Sequence, residues 1–524
     1  MFKRSSGVLM HISTLPGDYG IGSFGKDAKA FIDMLSDAGC TWWQVLPFGP
    51  TDAWNSPYAS ISAFAGNPYF IDLESLKDEG LLTQEELNSQ KYDNPYTAAF
   101  EFLGTNRIPV LYKAYLRIDD SYKAKVKAFA EKNSFWLPDY AIYAILKRAN
   151  DGKEWFDWED DKLKLHDKDT IDALLKEHED TVLFMEFIQY VFYKQWEEIR
   201  AYAKKKNVKI LGDLPMYVAR QSSDVWSNRN LFDLAEDGQP KCVAGVPPDY
   251  FSEVGQKWGN PLYNWDAMKE EGYHWWLERL NSSFTLYDAV RIDHFRAFSA
   301  YWAVPFEAET AIDGEWRKGP GMDFFNKVIE KFGADKIIAE DLGIIDDGVV
   351  KLIEDTGFPC MRVMQFAFDF SDNMHLPHNM PKNSVAYTGT HDNNTTLGWL
   401  WEASPEQRKL ALDYCGFTGD DWAEGGWNSK SVQSIVRTLW SSPANMAIVP
   451  IQDLCGFGSD TKMNKPGVPN GNWAYRISRE HLGNIDFGRL KQLNKTYFRH
   501  YTEEPKVEED IDEISEEKSV NEQE

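Results

Sequence analysis

The chain has 524 residues, with 56 lysines and arginines against 82 aspartates and glutamates, a formal net charge of −26. Its 43% hydrophobic and 26% charged residues are an ordinary globular composition, long enough for a large core. The acidic balance argues against nucleic acid and anionic membrane partners, which need clustered basic side chains, and no run approaches the roughly 18 apolar residues of a membrane span.

The opening, MFKRSSGVLMHIST, has only a short apolar stretch at 8–10 and no leader-type cleavage pattern. Cys40, Cys242, Cys360, Cys415 and Cys455 stand far apart without a CxxC pair, so a disulfide scaffold is not expected and a reducing cytoplasm is.

VLMHIST reads as a first strand. Ala28, Phe31, Ile32 and Leu35 recur at helical spacing, stop at Gly39 and lead into the strand TWWQVLP. A long aromatic, charged and largely helical stretch follows. Phe184, Ile188, Phe192, Trp196 and Ile199 then form a second helical stripe, closed by lysines at 204–206 before the strand VKILGD. A segment rich in Pro, Gly, Trp and Tyr separates this from AVRID at 289–293. Phe325, Val328, Ile329 and Phe332 precede IIAED, and Val349, Leu352 and Ile353 precede RVMQFAFD. SVAYTGTHD comes next, and Val432, Ile435, Val436 and Leu439 introduce MAIVPIQD.

Eight short apolar strands alternating with helices predict parallel pairing in an α/β protein. The expected fold is a (β/α)8 TIM barrel with large inserted, mostly helical subdomains, although an open doubly wound sheet follows the same order of elements. No GxGxxG follows a strand, so no dinucleotide cofactor is indicated. The uneven spacing assigns 1–500 to a catalytic barrel with inserts at about 51–200 and about 214–270. Residues 501–524, with eleven acidic residues against two lysines, are expected to be a disordered tail.

Barrels of this kind place catalysis at the C-terminal ends of the strands, and here those ends are acidic: Asp213, Asp293, Glu340 with Asp341, Asp369, His391 with Asp392, and Asp453. Any one of them reads as a helix cap or a solvated turn; six together point to chemistry. Arg291 and Asp293 share a strand face, so the guanidinium is expected to lower the aspartate's pKa, while Glu340 is a candidate for a raised one. No HxH or HExxH spacing suggests a metal. A charged carboxylate, a protonated one and a third nearby suit glycosidic bond chemistry, and Tyr250, Phe251, Trp258 and Tyr263 offer rings on which sugar C–H faces stack.

The stretches GVLMHISTLPGDYGIGSFG, NSPYASISAFAGNPYFIDL, ILGDLPMYVA, AGVPPDYFSEVGQKWGNPLYNW, VRIDHFRAF, IIAEDLG, MRVMQFAFD, YTGTHDNNTT and MNKPGVPNGNW together resemble the amylomaltase family of 4-alpha-glucanotransferases. The resemblance implies Asp293 as nucleophile, Glu340 as acid/base and Asp392 as transition-state stabiliser. It further implies sugar contacts at Tyr58, Asp213, Arg291, His391 and Asn464, and a covering loop with Tyr250, Phe251, Gln256 and Trp258. Asp369 joins the substrate-binding set as a strand-end carboxylate, and Trp54 falls where some members use a secondary glucan contact. The expected activity is retaining transfer of alpha-1,4-linked glucosyl segments between glucans or maltooligosaccharides, without cofactor or metal; the alternative is an alpha-glucan hydrolase of the same barrel class.

Overall fold

The computed structural model describes residues 2–248, 252–468 and 470–500. Among these the strands are, in chain order, β1 (Ser5–Leu9), β2 (Trp42–Gln44), β3 (Lys209–Leu214), β4 (Cys242–Val246), β5 (Gln256–Pro261), β6 (Ala289–Ile292), β7 (Ala300–Pro305), β8 (Glu315–Lys318), β9 (Ile337–Ala339), β10 (Cys360–Val363), β11 (Ser384–Tyr387) and β12 (Met446–Pro450). The eight expected strands are β1, β2, β3, β6, β9, β10, β11 and β12. They form one parallel sheet in the order β10-β11-β12-β1-β2-β3-β6-β9.

The two ends of that order meet and make the sheet a (β/α)8 barrel. The Ala339 amide donates to the Pro359 carbonyl at 2.9 Å. Just beyond, the Asp341 carboxylate accepts from the Met361 amide at 2.7 Å and from Arg362 at 2.8 Å.

Alternation along the strands sorts the side chains into two layers. Leu9, Trp42, Leu211, Ala289, Ile338, Met361, Val385, Tyr387 and Ile448 pack together inside the barrel. Their neighbours Val8, Trp43, Ile210, Val290, Ile337 and Ala386 belong to the outer layer under the helices. Each apolar stripe read from the sequence lies on one of those helices: Lys26–Asp37, Glu179–Lys205, Gly321–Phe332, Asp347–Thr356 and Lys430–Ser441. Packing is tight where β3 passes Tyr287, since a Cβ on Gly212 would lie 2.2 Å from that ring.

Between β2 and β3 the chain is mainly helical, with Phe100–Tyr115, Asp120–Lys132 and Leu137–Ala149 before the long helix Glu179–Lys205. That last helix anchors the region to the barrel through Trp196, whose ring meets Phe48 at 4.7 Å and Trp43 at 6.4 Å. A second, antiparallel sheet has the order β5-β4-β7-β8. It draws two strands from the connection after β3 and two from the connection after β6, so both loops build one layer beside the barrel mouth. Among the described residues no helix is long and apolar enough to cross a membrane. The acidic segment 501–524 lies outside the described residues.

Candidate active site

The alternation that fills the barrel also aims its mouth. Ala289 faces inward, so Arg291 and Asp293 follow on the same side; Leu211 carries Asp213 with it, and Ile338 carries Glu340. Asp341 has the opposite parity and turns to the seam with Arg362 instead.

Arg291 holds the centre. Its Nε and Nη2 donate to Asp213 at 2.7 to 3.1 Å, and the same Nη2 donates to Asp293 at 2.9 Å. The Tyr58 hydroxyl completes the Asp213 carboxylate with a 2.8 Å bond, and the Tyr58 ring stacks on His391 at 5.1 Å and 17°. His391 Nε2 lies 3.2 Å from Asp392, whose other oxygen accepts from Asn464 at 2.6 Å. The Asn464 amide also donates to the His391 carbonyl at 3.1 Å, which fixes the two loops together.

Glu340 is fixed by backbone. One oxygen accepts from the His294 amide and the other from the Leu342 amide, both at 2.7 Å. The first bond depends on a left-handed turn at His294, with φ of 52°, directly after Asp293. Such a conformation is costly for a residue with a Cβ and persists where the surroundings enforce it. Trp258 on β5 abuts the His294 ring edge-on at 4.8 Å, and its indole donates to Gln256 at 3.1 Å. The second sheet therefore reaches the carboxylates through His294.

The expected residues Tyr58, Asp213, Arg291, Asp293, Glu340, His391, Asp392 and Asn464 thus form one connected network, with Trp258 and Gln256 at its edge. Tyr250 and Phe251 lie outside the described residues. Asp369 does not join the network. The turn at Met364–Phe366 ends β10 early, and Asp369 is exposed, bonded to Ser371 and Asn373 of its own loop. Asp453 is used structurally, accepting from Thr388 and Thr396 inside the short helix Ile451–Cys455. Trp54 is 53% exposed, its amide held by Asp52.

The sequence profile of the 4-alpha-glucanotransferase family matches residues 10–481. The chain belongs to that family. The 4-alpha-glucanotransferase of Clostridium butyricum is 42% identical over 494 residues, covering 94% of this chain and 100% of that one. Its counterpart from Streptococcus pneumoniae serotype 4 is 43% identical over 490 residues, with 92% and 95% covered. Amylomaltase from Streptococcus agalactiae, solved in complex with acarbose, has the same fold with a TM-score of 0.91 at 37% identity, over 95% of this chain and 100% of that one.

Electrostatics divide the carboxyls of this 4-alpha-glucanotransferase family member into two kinds. Burial, reinforced by the negative charge of Asp293, pushes Glu340 up to about 8, against the pull of Arg291 and the two amides. Burial raises Asp293 as well, and Asp213 and Asp392 add to it. This corrects the expectation that Arg291 lowers the Asp293 pKa: the guanidinium does pull downward, but most of its donors are committed to Asp213, and desolvation prevails. For Asp392 burial also acts upward, but the charge and hydrogen bond of His391, with Asn464, hold it far below the usual range. Burial pulls His391 downward, but the charge and hydrogen bond of Asp392, with the charge of Asp213, together prevail and raise it. The surroundings thus favour the protonated form of Glu340 and the charged form of Asp392.

Two residues were not singled out from the sequence. Trp473, with a left-handed φ of 65°, packs against Tyr58 and His391 at 5.5 and 5.9 Å. His294 was visible only as the neighbour of Asp293. Among the described residues no three His, Cys, Asp or Glu side chains are grouped to hold a metal ion.

Proposed function

We propose that the chain is a retaining 4-alpha-glucanotransferase in which Asp293, Glu340 and Asp392 carry the reaction. What supports it most is the placement of three carboxyls in contrasting surroundings: Asp293 on Arg291, Glu340 on the amide of the next residue, His294, and raised to about 8, and Asp392 held low by His391 and Asn464. Asp293 attacks the anomeric carbon of the donor glucan while Glu340 passes its proton to the departing oxygen, leaving a glucosyl ester on Asp293. Esterification removes the Asp293 charge, one of the causes of the high Glu340 pKa. The newly formed Glu340 carboxylate is therefore stable enough to wait for the acceptor. It then takes the proton from the incoming 4-hydroxyl as that oxygen displaces Asp293. Asp392 stabilises the positive ring in both steps, and Tyr58, Asp213, Arg291, His391 and Asn464 hold the sugar and the carboxylates in place.

The substrates under this reading are alpha-1,4-glucans and maltooligosaccharides, with Gln256 and Trp258 covering the cleft against water. We assign the protein to a reducing compartment, the cytoplasm, in keeping with five free cysteines. Incubation with maltotriose provides the test. Redistribution of chain lengths at constant reducing ends is expected, and a steady rise in reducing ends would instead mark the hydrolase. Asp293→Ala should lower turnover on the order of 10⁴-fold or more while glucan binding remains measurable. Unchanged turnover would remove Asp293 as nucleophile.

A further inference from the structure

Away from the carboxylates, two tryptophans stand exposed on the same side of the barrel. Trp401 is 46% and Trp427 53% exposed, whereas Trp43, Trp155, Trp196, Trp226, Trp276 and Trp440 are fully buried. Topology places both at the catalytic end. The helix Lys430–Ser441 descends to the start of β12 at Met446, so its N-terminus, just after Trp427, lies at the level where the parallel strands finish. Trp401 is on the helix Thr396–Glu402, which directly follows the Asp392 loop.

One short glycine-containing loop meets both segments, through the ring of Trp401 and through the backbone beside Trp427. The six-membered ring of Trp401 lies against Gly458, where an added Cβ would come within 2.3 Å of it, and its Nε1 donates to Ala423 at 3.2 Å. The Gly426 amide, beside Trp427, donates to the Gly456 carbonyl at 2.8 Å, and Gly456 adopts a φ of 62°. A Cβ there would meet the Gly426 carbonyl at 2.2 Å, so the approach of the two loops depends on glycine.

The same loop continues to the active site. Ser459 accepts from Asn394, two residues past Asp392, at 2.9 Å, and the chain then runs on to Asn464, which binds Asp392. Six residues of chain reach no further than about 22 Å, so Gly458 lies within an oligosaccharide's length of Asn464. The charges on these segments are mixed: Asp420 and Glu424 face Lys430, which pairs with Asp421 at 2.6 Å, and Glu402 acts on Lys462, so a hydroxyl finds acceptors and donors while no single sign selects an ion. Two exposed indoles on segments pinned to one loop, among charges of both signs and joined by a short stretch of chain to a glycosidic site, fit a neutral polyhydroxylated chain whose C–H faces stack and whose hydroxyls donate and accept.

We propose that Trp401 and Trp427 form an outlying glucan track that holds long alpha-1,4-glucans as they leave the cleft beside Asp392. This rests on the glucanotransferase reading and extends it to chain-length preference. Long donors gain contacts there that maltotriose is too short to reach.

The test compares kcat and KM for maltotriose and for long amylose in the native protein, in Trp427→Ala, in Trp401→Ala and in Trp427→Phe. The expected result is a KM for amylose raised about tenfold in each alanine variant, ~1.4 kcal/mol of binding, with kcat and the maltotriose constants unchanged and Trp427→Phe close to native. An unchanged amylose KM, or an equal rise for both donors, would overturn the track. Failure of the native protein to redistribute maltotriose would instead overturn the glucanotransferase reading.

Discussion

In the proposed mechanism Glu340 is the residue on which the chemistry turns, because its surroundings raise its pKa and two amides fix its oxygens. The raised pKa, to about 8, predicts that kcat/KM falls as pH rises through that region, since the general acid must be protonated. At the other end, Asp293 must be ionised, and its upward shift moves the acidic limb above the ordinary aspartate range. A pH–rate profile on maltotriose should be bell-shaped, and in Glu340→Gln the residual activity should lose the alkaline limb.

Arg291 offers a second check at this scale. Its side chain and that of Asp213 are 4% and 0% exposed, so Arg291→Ala leaves a buried carboxylate without its partner. The expected cost is about 3 to 5 kcal/mol by denaturant unfolding, and adding Asp213→Asn should recover part of it. The sequence carried some of this information. Arg291 and Asp293 are two apart, so their pairing was readable, but Asp213 comes from a different strand, and its claim on Arg291 appears only when β3 lies beside β6. The same limit applied to Asp369 and Asp453, which looked equivalent to Asp293 in a list of strand-end acids. One lies beyond a turn, and the other is satisfied by two threonines.

Among the elements, the barrel strands were legible because each follows an amphipathic helix and a stop, and burial on both faces makes them short and apolar. The second sheet was not. β5, QKWGNP, has neither alternation nor an apolar run, its first half being exposed at the sheet edge, and β7 pairs with β4, and β8 with β7, only after the chain has passed through β6. Trp258 stood out as one ring of an aromatic, glycine-containing stretch, Gln256 only through the family resemblance, and it is β5 pairing with β4 that brings them over His294. The tight passage of β3 supplies a prediction about elements. Gly212→Ala pushes a methyl into the Tyr287 ring and should destabilise by about 1 to 3 kcal/mol through overpacking, seen as a lower melting temperature.

For the molecule as a whole, the strand count and order define a closed barrel, but its last join differs from the others. Where β9 meets β10, the backbone ladder gives way to a carboxylate: Asp341 stands in for a missing strand partner by accepting from Met361 and Arg362. Glu340 is the residue immediately before it. Its acidity and the integrity of the cylinder are consequently two readings of one junction. If heating parts this join first, water reaches Glu340 and removes the burial that raises its pKa, and turnover is lost while the remaining strands stay paired. Activity should therefore fade at a lower temperature than far-ultraviolet ellipticity, and coincident loss of the two would show that the join is as strong as the rest.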